Sequence, residues 1–327
     1  MQFFKSLTPK TVGVSAAVIT VAIWTSFIII GRASASHTLT PFDISFLRFI
    51  GAALVLFPLG WWMGRGGKLK GWLGLSPLAF RATARIGLVG GLGFGILIYT
   101  GFFFAPAAHG SVLTPGSLPL WTTLFSVWLL GERVTAARAF SLALIMGGGL
   151  LVGGSSLMLA FSGGDVWKGD LLFIGASMCW SLYSVLVRRE RLDAVKATIA
   201  IVVFAFFVYV PAYAVLALTG LVHSRLATAP ASEIVFQMLF QGVGSVAISG
   251  ITFNKMVEYF GPVRTTMFTA LVPGGSALGA VYFLGEPLSW NLWTGLALVT
   301  AGIVFGLRAL RRDAVNRVAV EPRLTPR

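Results

Sequence analysis

The stretch LVPGGSALGAVYFLGEPLSW, residues 271–290, is apolar over most of its length, yet it carries a Pro-Gly-Gly and, near its end, a Gly-Glu-Pro. An earlier stretch, SLPLWTTLFSVWLLGERVTA, residues 117–136, is built the same way. In each, a proline stands 12 residues before a Gly-Glu pair: Pro119 before Gly131, and Pro273 before Gly285. Proline removes a backbone donor and frees a carbonyl one turn earlier. In a hydrocarbon medium that carbonyl needs a partner from protein or from cavity water. A chain that places such a breaker twice, at matching positions, therefore points to a shared internal surface.

The match extends along the chain. Trp24 pairs with Trp180 at an offset of 156, and Pro58 with Pro211 at 153. Pro119 pairs with Pro273 and Glu132 with Glu286, both at 154. The sequence thus reads as two copies of one unit, residues 12–156 and 168–309, followed by a basic tail at 310–327.

Composition says what medium the unit lives in. Of 327 residues, 56% are hydrophobic and 11% charged, against roughly 25% charged in soluble domains. Ten apolar segments of about 20 residues, each long enough to span ~30 Å as a helix, can be marked. They cover 14–34, 44–63, 84–104, 108–130, 136–156, 169–187, 197–219, 233–256, 262–284 and 290–309. The expected fold is an all-α polytopic membrane protein. Five helices per copy is an odd number, so the second copy enters the bilayer from the opposite face: an inverted-topology repeat. Alternating the connections puts 21 of the 25 Lys and Arg on one face and three on the other, with Arg48 inside the second segment. By the positive-inside rule both termini are expected in the cytoplasm, and the protein in a cell (inner) membrane. The net charge of +14 is then matched by anionic headgroups, with no nucleic acid needed. Ala33-Ser34-Ala35 follows the first apolar run as a possible leader cleavage site, but the run is long for a leader and the repeat needs it as a helix.

PFDISFLRFIGAALVLFPL, the two Pro-to-Gly-Glu blocks, and the runs SLALIMGGGLLVGG and LALVTAGIVFGL that follow them resemble the EamA family of the drug/metabolite transporter superfamily. Within it, the aromatic-rich chain resembles the YddG-type exporters of aromatic amino acids. The resemblance covers about 14–309. It implies ten helices in two inverted halves, a central cavity lined mainly by the first four helices of each half, and peripheral fifth and tenth helices.

Several side chains are candidates to line such a cavity. Pro115 and Pro119 break the fourth segment and Pro273 the ninth; a symmetric pair of breaks is the best sequence pointer to a transporter's binding site. Trp24, Trp121 and Trp180 lie away from segment ends, either as aromatic walls for a flat substrate or as packing. Trp61, Trp62, Trp72, Trp128, Trp167, Trp290 and Trp293 read as interface anchors. Tyr99 and Tyr183 are placed to present a hydroxyl to a cavity. Gln237, Gln241, Ser245 and Ser249, spaced by four, form one polar stripe, open either to a substrate's polar end or to a neighbouring helix. Arg48 reads as one turn into its helix, snorkelling or paired with Asp43, in a structural role at a gate rim. Gly91 and Gly95 offer a small face for close helix approach. Glu132 and Glu286 are expected to stabilise the first turn of the helix that follows each. Lys255 is expected to pair with Glu258.

No acid falls at mid-membrane, where proton-coupled carriers keep one; facilitative transport without proton coupling is the expectation. One cysteine, Cys179, and three histidines at segment ends offer no metal cluster, no cofactor site and no nucleophile with its base, so an intramembrane enzyme ranks low. The expected function is export of small metabolites, foremost phenylalanine, tyrosine and tryptophan, by a monomer in the lipid bilayer. Broader drug or metabolite efflux, with proton coupling, is the alternative.

Overall fold

The computed structural model describes residues 9–64, 71–160, 164–269, 271–287 and 289–320, and among them there is no strand. The helices are α1 Pro9–Ala33, α2 Pro41–Gly64, α3 Phe80–Phe104, α4 Ala107–Ser111, α5 Leu118–Leu130, α6 Ala136–Ala160, α7 Val166–Arg189, α8 Ala194–Leu218, α9 Ala231–Gln237, α10 Ser249–Thr269, α11 Leu271–Leu284 and α12 Trp290–Val320. Three wide π stretches interrupt them: Gly87–Gly93 within α3, Val112–Gly116 after α4, and Met238–Ile248, which joins α9 to α10 without a gap. Among the described residues seven helical stretches are long and apolar enough to cross a membrane, with shorter apolar helices at Leu271–Leu284 and Trp290–Gly306. Leu54, Leu124, Leu150 and Leu218 stand out of the bundle surface, as side chains do that face lipid rather than water.

The repeated Pro-to-Gly-Glu block has a local explanation. α5 and α11 each begin just before the matched proline, Pro119 and Pro273, in the first turn, where a missing donor costs nothing. Each ends at a glycine in the left-handed region, Gly131 at φ 67° and Gly285 at φ 65°. The next N–H, of Glu132 or Glu286, reaches back six residues to Ser126 O and Ala280 O, closing the same cap in both copies. With 13 and 14 residues, α5 and α11 are roughly 20 Å long, too short to cross alone. The breaks therefore lie before the prolines: Pro115 sits in the π stretch, while Pro273 opens a helix instead of interrupting one.

At the start of α2, Thr40 and Asp43 cap reciprocally: the Thr40 N–H donates to Asp43 Oδ2 at 2.9 Å and the Asp43 N–H to Thr40 Oγ1 at 3.2 Å. α2 begins at Pro41, three residues before the expected boundary. The expected boundary before Pro262 is not a break; α10 runs through it to Thr269, since proline inside a membrane helix is accommodated by neighbouring groups. The side chains of Asn254, Glu258 and residues 261–267, Arg264 included, lie outside the described residues, as do Lys5, Arg65, Lys68, Lys70 and the chain beyond Val320. The expected pairing of Lys255 with Glu258 therefore falls outside them too. Backbone helix continues from α12 into the tail as far as Val320.

Contacts between distant parts of the chain set the packing. α2 lies on Met238–Ile248 and α8 on Gly87–Gly93; α7 packs on α3, α1 on α10 and α11, and α6 on α12. The first contact is backbone on backbone. A Cβ on Gly242 would meet Ala52 N at 2.6 Å and Gly51 C at 2.7 Å, and a Cβ on Gly51 would strike Met238 O. Gly91 is similarly close to Ile201 O, at 2.9 Å, and Gly95 faces Phe49 at 3.4 Å.

Two ion pairs recur at the repeat offset. Arg32 at the end of α1 meets Glu286 after α11 at 3.4 Å, and Arg188 at the end of α7 meets Glu132 after α5. Glu286 serves a helix other than the one that follows it, whereas Glu132 reaches the first turn of its own following helix only through Arg138. Glu286 accepts the N–H groups of Ala107 and Ala108, capping α4 in the other half of the chain. Glu132 binds Arg188 and, at 3.6 Å, Arg138. A short helix that must close a gap between halves turns its C-terminal acid outward to a cation across the seam.

Gly242→Ala is expected to lower the detergent-solubilised protein's thermal midpoint, at a cost of about 1–3 kcal/mol from overpacking. Gly147→Ala, with nothing within 4 Å of its Cβ, should leave the midpoint unchanged or raise it. In the same assay Glu286→Gln, which loses a half-buried ion pair and charge on two backbone bonds, should cost about 1–3 kcal/mol. Glu132→Gln, facing a mostly exposed Arg188, should cost less, about 0–1 kcal/mol.

Candidate functional site

A cavity of about 360 Å³ lies in the middle of the bundle. It runs from α1, α2 and α3 toward Val187 and Leu192, at the end of the molecule that carries Arg188, Arg189, Arg191 and Lys196. The opposite end is tied by polar contacts. There Arg32 also donates to Phe102 O at 2.8 Å, Glu233 accepts the Leu39 N–H at 3.1 Å, and His109 meets Asp170 at 2.8 Å. Asp43 is buried there, accepting from Thr40, Ser224, Tyr213 and the Arg225 N–H. Asp43 and Asp170 are thus buried acids, but each lies in the first turns of its helix and is fully engaged.

Both repeat-related tryptophans line the cavity. Trp24 stacks on Phe253 at 5.3 Å with 19° between planes, and its indole N–H donates to Ser249 Oγ at 3.2 Å. Trp180 packs between Phe94, at 5.0 Å, and Tyr183, at 5.1 Å. Tyr183 joins the lining, as does Thr198. Pro115 contributes its ring from the π stretch, beside Thr114 and Leu118.

Other expected members sit elsewhere. Trp121 does not line the cavity; its indole N–H is buried without an acceptor among the described residues. Pro273 is buried behind its neighbour Val272, which does line it. Pro119 is behind the wall, its carbonyl accepting from Thr123 Oγ1 at 2.7 Å. Glu132 and Glu286 are at the two ends of the bundle. Trp72 packs on Phe80, Phe204 and Phe207.

The polar stripe divides. Ser245 and Ser249 line the cavity, whereas Gln237 donates to Ser34 Oγ at 2.8 Å and Gln241 accepts from the Tyr99 hydroxyl at 2.8 Å. Met238–Ile248 is π-helical, bonded i to i+5; spacing by four does not hold one face through such a stretch. Tyr99 is fully buried and reaches the cavity only through Arg48.

Arg48 is the largest departure. It is 6% exposed, lines the cavity, and donates through Nη1 to Tyr99 Oη at 3.0 Å and to Ser245 Oγ at 3.4 Å. The rings of Phe27, Phe94 and Tyr99 lie 5.8, 5.9 and 5.8 Å from its guanidinium carbon. It neither snorkels nor touches Asp43. Because α2 begins at Pro41, Arg48 lies two turns inside, roughly 10 Å deep. Two polar runs meet at Ser245, Trp24–Ser249 ending on its carbonyl and Gln241–Tyr99–Arg48 on its hydroxyl, and together they cross helices from both halves. Phe94, Thr198 and Phe253 were absent from the candidates because nothing in their immediate sequence sets them apart from other apolar-segment residues. Among the described residues no group of His, Cys, Asp and Glu could hold a metal.

Comparison with known proteins agrees with this architecture. The uncharacterized transporter YyaM of Bacillus subtilis (strain 168) is 22% identical over 241 residues, 71% of this chain and 74% of that protein. The uncharacterized transporter YvbV of the same organism is 23% identical over 188 residues, 57% of this chain and 58% of that one. A solved structure, "Crystal structure of protein", has the same fold: TM-score 0.58 over 91% of this chain and 99% of that chain, at 21% identity. The EamA-like transporter family matches residues 11–154 and again 167–308, so the chain is a membrane transporter that belongs to this family.

Proposed function

We propose that the protein carries small aromatic metabolites, foremost phenylalanine, tyrosine and tryptophan, out of the cytoplasm by alternating access. The observation that carries this reading is the cavity walled by Trp24 and Trp180, one from each half, with aromatic partners behind both. Its volume of about 360 Å³ suits one small flat molecule. In the proposed topology ten spans form two inverted halves, 12–156 and 168–309. α4 and α5 share the fourth span, and the ninth ends in α11. Both termini and the basic tail lie in the cytoplasm of a cell whose inner membrane holds the protein as a monomer.

The orientation of the cavity follows from charge, and the net direction of flux from the solute's own gradient. The cavity extends to the end rich in Arg and Lys, which the positive-inside rule assigns to the cytoplasm, so solute enters from there. The ion pairs at the two ends tie α1 to α11 and α7 to α5, each pair joining opposite halves. Units that mix the halves can rock about the central site and expose it to the other face. Every acid with a described side chain is engaged away from the cavity, which supports flux driven by the solute's own gradient.

Labelled phenylalanine or tryptophan should enter proteoliposomes saturably, and faster than leucine or glucose; no saturable aromatic flux refutes the substrate. Trp24→Ala and Trp180→Ala should each raise the apparent KM roughly 2- to 10-fold, the worth of one aromatic contact, with normal yield of folded protein. At equal solute gradients, initial rates should be the same with and without a pH gradient of one unit; acceleration by an inward or outward proton gradient would overturn facilitative transport.

A further inference from the structure

We infer that Arg48 is the anchor for a carboxylate, and that a free carboxylate is what the site requires of its cargo, while an amino group is not. The inference rests on the reading of the cavity as a substrate site and narrows it. Among the described residues Arg48 is the only charged side chain in the cavity wall. It is 94% withdrawn from solvent, and a guanidinium so placed is costly unless paired. Its partners are neutral hydroxyls, both taken through Nη1. The N–H groups of Nε and Nη2 have no acceptor among the described residues, and none of them is sealed in the protein interior; they are left facing the cavity.

Among the described residues no acid is available to neutralise it. Asp43 is held by Thr40, Tyr213, Ser224 and Arg225 N, Asp170 by His109, Glu286 by Arg32, and Glu132 by Arg188. A ligand carboxylate supplies the missing charge with the bidentate geometry that guanidinium favours. Nothing equivalent awaits an ammonium. Among the described lining side chains there is no carboxylate; away from Arg48 the wall offers the Thr114, Tyr183, Ser184 and Thr198 hydroxyls and aromatic faces. A bound acid would place its carboxylate beside Ser245 and Arg48, its body between Trp24 and Trp180. An aromatic amino acid satisfies this as one member of a wider class, the small aromatic carboxylic acids.

Matched acids and amides test it by thermal-shift titration of the purified full chain: 3-phenylpropionate against 3-phenylpropionamide, phenylalanine against phenylalaninamide, and hexanoate against hexanamide. Each acid is expected to bind roughly 10- to 100-fold more tightly than its amide, the worth of a charged hydrogen bond. 3-Phenylpropionate should bind at least as well as phenylalanine. The acid-over-amide ratio should vanish in Arg48→Gln and persist in part in Arg48→Lys. Because Arg48→Gln also strips a partner from Tyr99, the native chain supplies a second readout. Acids, and not amides, should protect Arg48 from modification by butanedione, followed by mass spectrometry. Equal affinity of acid and amide, a ratio unchanged in Arg48→Gln, no protection, or no binding by any of the six compounds overturns the anchor. A preference for acids that is as strong for hexanoate as for the aromatic acids keeps the anchor and overturns the aromatic cargo instead.

Discussion

Helix α2 meets the π stretch Met238–Ile248 with no side chain between them, at Gly51 and Gly242. The central geometry follows from this contact. Arg48 lies one turn before Gly51 and Ser245 one turn after Gly242, so the backbone contact brings guanidinium and hydroxyl to 3.4 Å. In a bilayer there is no hydrophobic gain from pushing two helices together, because lipid tails are as apolar as leucine; close approach rests on small residues and on polar groups that find partners across the gap. The seam uses both. Its glycines allow the approach, and the two polar runs that meet at Ser245, one from Trp24 through Ser249 and one from Gln241 through Tyr99 and Arg48, span it.

The same economy explains why the helix breaks sit where they do. A helix of 13 or 14 residues cannot cross by itself, but it can leave its first turn and the preceding wide turn beside a cavity. Pro115 uses that place in one half and Val272 in the other. The Gly-Glu pair at the far end of each short helix then does two jobs. Glycine closes the helix in a left-handed cap, and the glutamate beyond it reaches a cation on the opposite half of the chain. The described ion pairs thus sit at the ends of the bundle, and among the described side chains Arg48 alone brings a charge to the central cavity.

That charge sets the chemistry of the site. A wall of aromatic faces is permissive, because any flat apolar body can lie on it. A buried cation without a counter-ion is selective, because an unpaired ligand leaves it desolvated. On the proposed reading, selectivity resides in one side chain, supported by a tyrosine and a serine that orient it, more than in the tryptophans that shape the space around it.

The sequence alone determined the medium, the helical class, the repeat and the tryptophan pair, since each follows from composition or from spacing: 11% charge cannot cover a water-facing surface, and matched offsets survive any arrangement of the helices. The Arg32 and Arg188 pair was legible in the same way, at the offset of Trp24 and Trp180. What tertiary structure decided was which face each residue turns to and what it meets. A helix start shifted by three residues carries Arg48 from rim to centre. A π stretch, invisible to a count by four, takes Gln237 and Gln241 out of the cavity and leaves Ser245 and Ser249 in it. Partners such as Glu286 and Ala107, 179 positions apart, meet only because two halves of one chain close on each other, and local sequence holds no record of that distance.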